Sequence, residues 1–323
     1  MTLPASGPIS ASAINVEMAR SPTALFSMND SETRRLAGVP TGTISMSNFY
    51  GKTYRIPLAV TYSSNTQQAS INVSSLSGYI AGKSNLTVTV NSSIYVWSDS
   101  TSVAGLTITG ASSGDTVTVV NNGYIIGRGG DGGGFGANGG SGGPALSITG
   151  VSSATNTVTN NSYIAGGGGG GAGNASGSGG CGGGGAGGGQ GGGGITGGNV
   201  GATGASSGAY TGLGGGGGRI LPGSGGGGAG PGNSYTAQGG GAGGGGGNNR
   251  FTGFTAGSGG SANNNGGGYS SGGVERYSGS GGGGWSATSA TTWDGYVSGA
   301  GGAAIQKSAS YTLVNNGTIY GAT

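Results

Sequence analysis

Histidine is absent from this 323-residue sequence, and cysteine occurs once, at Cys181. Ser-His-Asp and Cys-His nucleophiles are therefore excluded, and a zinc site lacks its usual ligands. Cys181 stands between glycines, reads as a small spacer and has no partner for a disulfide. The acidic residues are mostly isolated. Asp99 with Asp115, or Glu275 with Asp294, could meet as a glycosidase pair, but nothing in the pattern requires it. No acidic run suits calcium. The expectation is a chain that is not an enzyme and carries no metal or cofactor. Binding chemistry is better represented. Arg250, Phe251, Phe254, Tyr277, Trp285, Trp293 and Tyr296 stand in short inserts between glycine runs. Arginine and aromatic rings amid Ser, Gly and Asn are the make-up of adaptable binding loops, where a rigid ring supplies contact area at low entropic cost. The bland alternative is that these rings only cap the ends of whatever the glycines build.

What the glycines build must hold those inserts in place. The chain has 89 glycines, most of them in residues 127–303. Such a stretch is too poor in large apolar residues for an ordinary core, and ordering glycine costs more backbone entropy than ordering any other residue. Collagen needs glycine at every third position without exception, and the runs lack that strict period. A phosphate loop needs a helix behind it, and Gly127-Arg128-Gly129-Gly130 has none. A bundle of polyproline-II-type glycine helices fits best. That helix has no internal hydrogen bonds, so its N–H and C=O groups point outward and pair laterally where no side chain intervenes. Inner helices then need glycine on all three faces, as in Gly166 to Gly171; rim helices tolerate Ala, Ser or Asn on one, as in Gly127 to Gly143.

The flanks have ordinary composition. Residues 1–53 read as a small helical segment: Ser10 or Ser12 caps a first helix through Met18, Asn29 or Asp30 a second through Leu36, and Gly38 and Pro40 end it. Residues 54–126 read as a small β domain, with alternating strands at 86–90, 94–97, 106–108 and 116–120. An internal repeat runs Val119-Val120-Asn121-Asn122-Gly123-Tyr124-Ile125, Val158-Thr159-Asn160-Asn161-Ser162-Tyr163-Ile164 and Leu313-Val314-Asn315-Asn316-Gly317-Thr318-Ile319. Each copy is a strand, an Asn-Asn turn and a second strand. The last copy lies in residues 304–323, which return to the β domain, so short strands bracket the glycine region and bring its two ends together. The fold class is thus mainly β and irregular, with a helical N-terminal segment and a bundle of antiparallel polyglycine type II helices over 127–303. No basic run suggests nucleic acid, and no apolar stretch is long enough to span a membrane. The first residues lack the features of a signal peptide, so synthesis in a cytoplasm without export is expected.

The stretch from Asn121 to Gly133, with Gly142-Gly143-Pro144-Ala145-Leu146 and Asn160-Asn161-Ser162-Tyr163-Ile164-Ala165-Gly166, resembles the distal long-tail-fibre adhesins of T-even-type phages. Glycine-rich ends of tail-tip proteins in lambda-like phages are similar. The resemblance covers roughly 119–323 and implies a glycine-helix sandwich whose far-end loops bind an outer-membrane protein or lipopolysaccharide of the host. Residues 1–53 resemble an attachment segment of phage tail proteins, which implies a phage tail or fibre protein as partner and a place on the virion. The return strand at 310–320 makes the run 299–303 travel back, so the insert 285–298 lies at the far tip; 135–138 and 174–178 are far-end turns by the same count. Inserts 248–256 and 285–298 are the favoured binding loops, with 195–211 and 269–278 as further candidates. Arg128 is expected to pair with Asp131 or to bond carbonyls at the β–glycine junction. A purely structural virion spacer and an ice-binding glycine-helix protein are the other readings. The large aromatic inserts argue against the flat, regular face that ice requires.

Overall fold

The computed structural model describes residues 2–149, 151, 154–173, 181, 184–192, 217, 282–283, 287–288, 295–308 and 310–323. The chain begins with two short helices. Ser10 caps α1 (Ala11–Glu17) by accepting from the Ala13 N–H at 3.0 Å. Asp30 caps α2 (Ser31–Ala37) by accepting from the Thr33 N–H at 2.6 Å, and Gly38 ends it in the left-handed conformation at φ 72°. Both ends follow from the cap residues, because a short side-chain oxygen satisfies an otherwise orphaned N–H and glycine carries no Cβ penalty at positive φ. Leu3, Ile14, Met18, Leu36, Ala37, Phe49 and Tyr54 close a small core over this unit. Ile56 packs against this core from the start of the strands, and a buried charge adds a polar link. Buried Glu17 accepts from the Tyr54 N–H at 2.8 Å and pairs with Lys83.

From Ile56 onward every strand is parallel to its neighbours and pairs with the strand three places further along the chain. The strands are β1 (Ile56–Tyr62), β2 (Thr66–Gln67), β3 (Ala69–Asn72), β4 (Ser84–Val90), β5 (Tyr95–Trp97), β6 (Leu106–Thr109) and β7 (Thr116–Asn121), followed by β8 (Tyr124–Ile126), β9 (Leu146–Ile148), β10 (Thr155–Asn160), β11 (Tyr163–Ala165), β12 (Ile305–Lys307), β13 (Tyr311–Asn315) and β14 (Thr318–Tyr320). They form three sheets, β1-β4-β7-β10-β13, β14-β11-β8-β5-β2 and β12-β9-β6-β3. The chain is therefore wound into a three-sided parallel solenoid, each coil donating one strand to each side. The alternation read in the sequence points one residue in two inward. Val60, Val88, Val119, Val158 and Leu313 stack in register on the first side, and Val96, Ile125, Ile164 and Ile319 on the second. These residues, with Leu106, Leu146 and Ile305 from the third side, make the main core.

The internal repeat is the coil itself. Its first asparagine sits at an inner corner and forms a ladder: Asn121 Nδ2 donates to Asn160 Oδ1, and Asn160 Nδ2 to Asn315 Oδ1, both at 2.8 Å. The second asparagine repeats this outside, Asn316 to Asn161 and Asn161 to Asn122, both at 2.9 Å. The Asn-Asn-Gly/Ser segments are thus corners between parallel sides, a topology that strand-by-strand alternation does not reveal.

The glycine segments leave the solenoid at one corner, between its second and third sides. Residues 127–145 depart between β8 and β9, and 166–304 between β11 and β12. Strands β9, β10 and β11 lie inside 127–303, so the glycine segments are interleaved with the sheets instead of following them as one block. The hydrogen bonds of these segments recur every third residue. Gly127, Gly130 and Gly133 donate to the carbonyls of Ala165, Gly168 and Gly171, at 2.9, 2.8 and 2.7 Å, so those two segments run the same way. Gly167, Gly170 and Gly173 donate to Gly143, Gly140 and Ala137, at 2.9, 2.8 and 2.9 Å, so those run oppositely. Gly139, Gly142 and Ala145 donate to Val297, Ala300 and Ala303. Residues 166–173 are buried throughout. A Cβ on Gly130 would lie 1.9 Å from the Gly140 oxygen, and one on Gly170 2.0 Å from that of Asp131. The Cα–H groups thus also face neighbouring carbonyls, a weak attraction repeated many times.

Candidate functional site

Residues 127–134 run away from β8, turn, and return as 139–145 into β9, so the turn between them is the end farthest from the solenoid. It closes with the Ala137 N–H on the Gly134 carbonyl at 3.2 Å, and Gly136 takes φ 64° inside it. Phe135 stands on the turn, 58% exposed. Val297 lies next to the turn's return limb and is equally exposed: its N–H donates to Asn138 Oδ1 at 2.9 Å, and its carbonyl accepts from Gly139 at 3.0 Å. Two large apolar side chains are thus held in solvent on adjoining, hydrogen-bonded segments. Tyr296, half-buried, precedes Val297.

Cys181 is fully buried below the turn. Burial pushes its thiol up to about 11, against the smaller opposing effect of a hydrogen bond with the Phe135 backbone. A thiol so held stays protonated and unreactive at neutral pH, in keeping with the spacer expected from the sequence. One charged pair lies closer to the root. Arg128 meets Asp131 at 2.7 Å, as expected, and the same Asp131 oxygen accepts from the Gln190 N–H at 2.8 Å. The Asp131 carboxylate is thereby committed to structure. Of the pairs considered for acid–base chemistry, Asp115 is buried and taken up by the Ser84 and Ser112 N–H groups and the Tyr79 hydroxyl.

A second aromatic cluster lies on the solenoid. Tyr95, Tyr124, Tyr163 and Tyr320 follow one another at ring separations of 4.5, 5.8 and 6.1 Å. Ala186 of the glycine region packs against this group. Burial raises the Tyr95 and Tyr320 phenols above their ordinary range. These rings are used in packing the glycine region onto the solenoid.

Of the residues singled out in the sequence, Arg250, Phe251, Phe254, Tyr277, Trp285 and Trp293 lie outside the described residues. Phe135 and Val297 are not among the contact residues expected from the sequence, although Phe135 opens the expected far-end turn 135–138 and Val297 lies in the favoured insert 285–298. The signal for Phe135 was present, a lone large ring between Gly134 and Gly136.

The model of the phage tail fibre adhesin Gp38 family matches residues 57–224, more than half of the chain. The chain belongs to this family. No curated protein sequence matches the adhesin. A solved chain from the gp37–gp38 adhesin tip complex of the bacteriophage S16 long tail fibre aligns over 98% of the adhesin and 99% of its own length, with a TM-score of 0.51 and 18% identity. At that identity the likeness shows a shared fold. A tail fibre adhesin belongs on the tail of the virion, and no helix among the described residues is long and apolar enough to cross a membrane.

Proposed function

We propose that the glycine segments are polyglycine type II helices whose bundle carries receptor-binding loops on its far end. The three-residue hydrogen-bond period supports this, since such a helix has three residues per turn and all its backbone groups free for neighbours. At about 3.1 Å per residue, the eight residues from Gly127 to Gly134 reach roughly 25 Å from the solenoid. Inserts 248–256 and 285–298, with Arg250, Phe251, Phe254, Trp285, Trp293 and Tyr296, and Tyr277 from a neighbouring insert, are the proposed contacts to a bacterial outer-membrane protein or lipopolysaccharide. Residues 1–53 attach the adhesin to its tail or fibre protein; that the structural neighbour comes from a complex of gp37 with gp38 supports a fibre protein as the partner. Binding, without catalysis, is the whole of the proposed activity.

The observation that carries this reading is the exposure of both Phe135 and Val297 at the far-end turn. A monomer gains nothing by holding large apolar side chains in water on hydrogen-bonded backbone, whereas a partner surface gains by covering them. The double variant Phe135→Asp with Val297→Asp tests it. Both side chains are mostly solvated, so the melting temperature should stay within about 2 °C of the parent's. Adsorption to host cells should fall by about tenfold or more, because desolvated aromatic and aliphatic contacts contribute about 1–2 kcal/mol each. Unchanged adsorption by the folded variant would remove these residues from the contact surface.

A further inference from the structure

We propose that the open cavity beside α2 is a socket for a carboxylate-bearing segment of the fibre protein on which the adhesin is mounted. The proposal rests on the reading that residues 1–53 form the attachment end, and it names the chemistry of that attachment.

The cavity, of about 530 Å³, is lined by Asn29, Ser31, Arg34, Arg35, Gly38 and Pro40. Lys52 completes its charge: a Cβ on Gly38 would lie 3.6 Å from the Lys52 ammonium. Three cations therefore surround one opening in a chain where charged residues are only 6% of the sequence. Elsewhere among the described residues Arg20 pairs with Asp30 and Glu32, Lys83 with Glu17, and Arg128 with Asp131. Arg55 bonds the carbonyls of Gly82 and Gly114 and Lys307 lies over the Tyr311 ring, each of these two standing alone and not in a cluster. Among the described residues Arg34, Arg35 and Lys52 have no such ion pair; Asp30 and Glu32 pair with Arg20, and Glu32 also reaches the Tyr54 hydroxyl that Arg35 bonds.

The guanidinium groups are also fixed in place. Arg34 donates to Asn29 Oδ1 at 2.9 and 3.2 Å and to the carbonyls of Val39 and Gly42 at 3.3 and 3.1 Å. Arg35 lies over the Tyr54 ring at 4.9 Å and bonds its hydroxyl. Four of the five Arg34 donors are thus in use, so Arg34 contributes chiefly its fixed charge. Arg35 gives one bond to Tyr54 and keeps further donors for a carboxylate; a preorganised guanidinium loses little further freedom on binding. Charge complementarity thus selects an acidic segment over an apolar one.

The test uses the full-length adhesin and the purified fibre protein of the same phage. A photo-crosslinking residue at Leu25, which is 98% exposed on the same unit, reports whether this end faces the fibre. Fibre affinity is then measured for the parent, Lys52→Glu, Arg35→Gln and Lys52→Arg at low and high salt. Arg34 is left intact because it ties the loop after α2. Lys52→Glu and Arg35→Gln should each weaken fibre binding about tenfold or more at low salt, with the difference shrinking at high salt, while Lys52→Arg binds like the parent. Melting temperatures identify any variant that fails to fold, and Lys52, exposed on the surface, is the safest of the three. Crosslinking from position 25 with affinity unchanged in folded Lys52→Glu and Arg35→Gln would overturn the socket alone. Absence of crosslinking to the fibre would overturn the attachment reading as well. Loss of lipopolysaccharide binding in these variants, with fibre affinity intact, would reassign the cavity to a phosphate ligand and overturn the proposal.

Discussion

Replacing Gly170 with valine is expected to unfold the glycine region. A Cβ there would lie 2.0 Å from the Asp131 oxygen and 2.4 Å from its carbonyl carbon, both backbone atoms of a neighbouring segment. Neither can rotate away, so the two segments must part. Gly170 donates to Gly140 at 2.8 Å, and its carbonyl accepts from Gly299 at 2.9 Å, so parting them breaks bonds on both sides. With about 1 kcal/mol net per backbone hydrogen bond and a larger cost for each group left buried and unpaired, the loss should exceed roughly 4 kcal/mol. The control is Gly134→Ala. Nothing lies within 4 Å of its Cβ, so this variant should stay within about 0.5 kcal/mol of the parent. Hydrogen exchange at residues 127–145 and 166–173 would report the difference. Full protection in folded Gly170→Val would show that these segments are not packed backbone to backbone.

The second large effect belongs to the solenoid. Asn160→Leu should destabilise the adhesin by about 3–5 kcal/mol, because it leaves several buried polar groups without partners at once. Asn160 is fully buried. It accepts from Asn121 at 2.8 Å and donates to Asn315 Oδ1 at 2.8 Å and to the Thr318 carbonyl at 3.2 Å, so it links three successive coils. The outer ladder offers the comparison. Asn161 is exposed and bonds Asn122 and Asn316 where water can replace them. Asn161→Ala should cost less than about 1 kcal/mol. Thermal unfolding of the two variants side by side decides the matter; equal melting temperatures would mean that the inner ladder contributes no more than the outer.

The sequence made the local elements legible where a local cause determines them. Ser10 and Asp30 begin the helices because their side chains reach an N–H three residues on, and Gly38 ends α2 because it accepts positive φ. Alternation at Leu86 to Val90 and Thr116 to Val120 marked β4 and β7 correctly. The parallel winding stayed hidden, since alternation states which residues face inward and not which strand lies alongside. The repeated Asn-Asn pair was visible as a repeat, but its meaning depends on amide contacts between residues about forty or more positions apart, as between Asn160 and Asn315. Of the candidate site, the far-end turn at 135–138 is legible from counting runs, whereas the position of Val297 beside Asn138 and Gly139 depends on which return segment lies next to that turn.

Receptor recognition depends on which part of the adhesin the host meets. The direct measurement exchanges inserts 248–256 and 285–298 for those of a related phage with a different host, and scores adsorption of the resulting virions on both hosts. Host preference should follow the inserts, with particle yield and adhesin content per virion unchanged. Virions that keep the original preference while carrying folded, exchanged adhesin would contradict receptor recognition through the far-end loops.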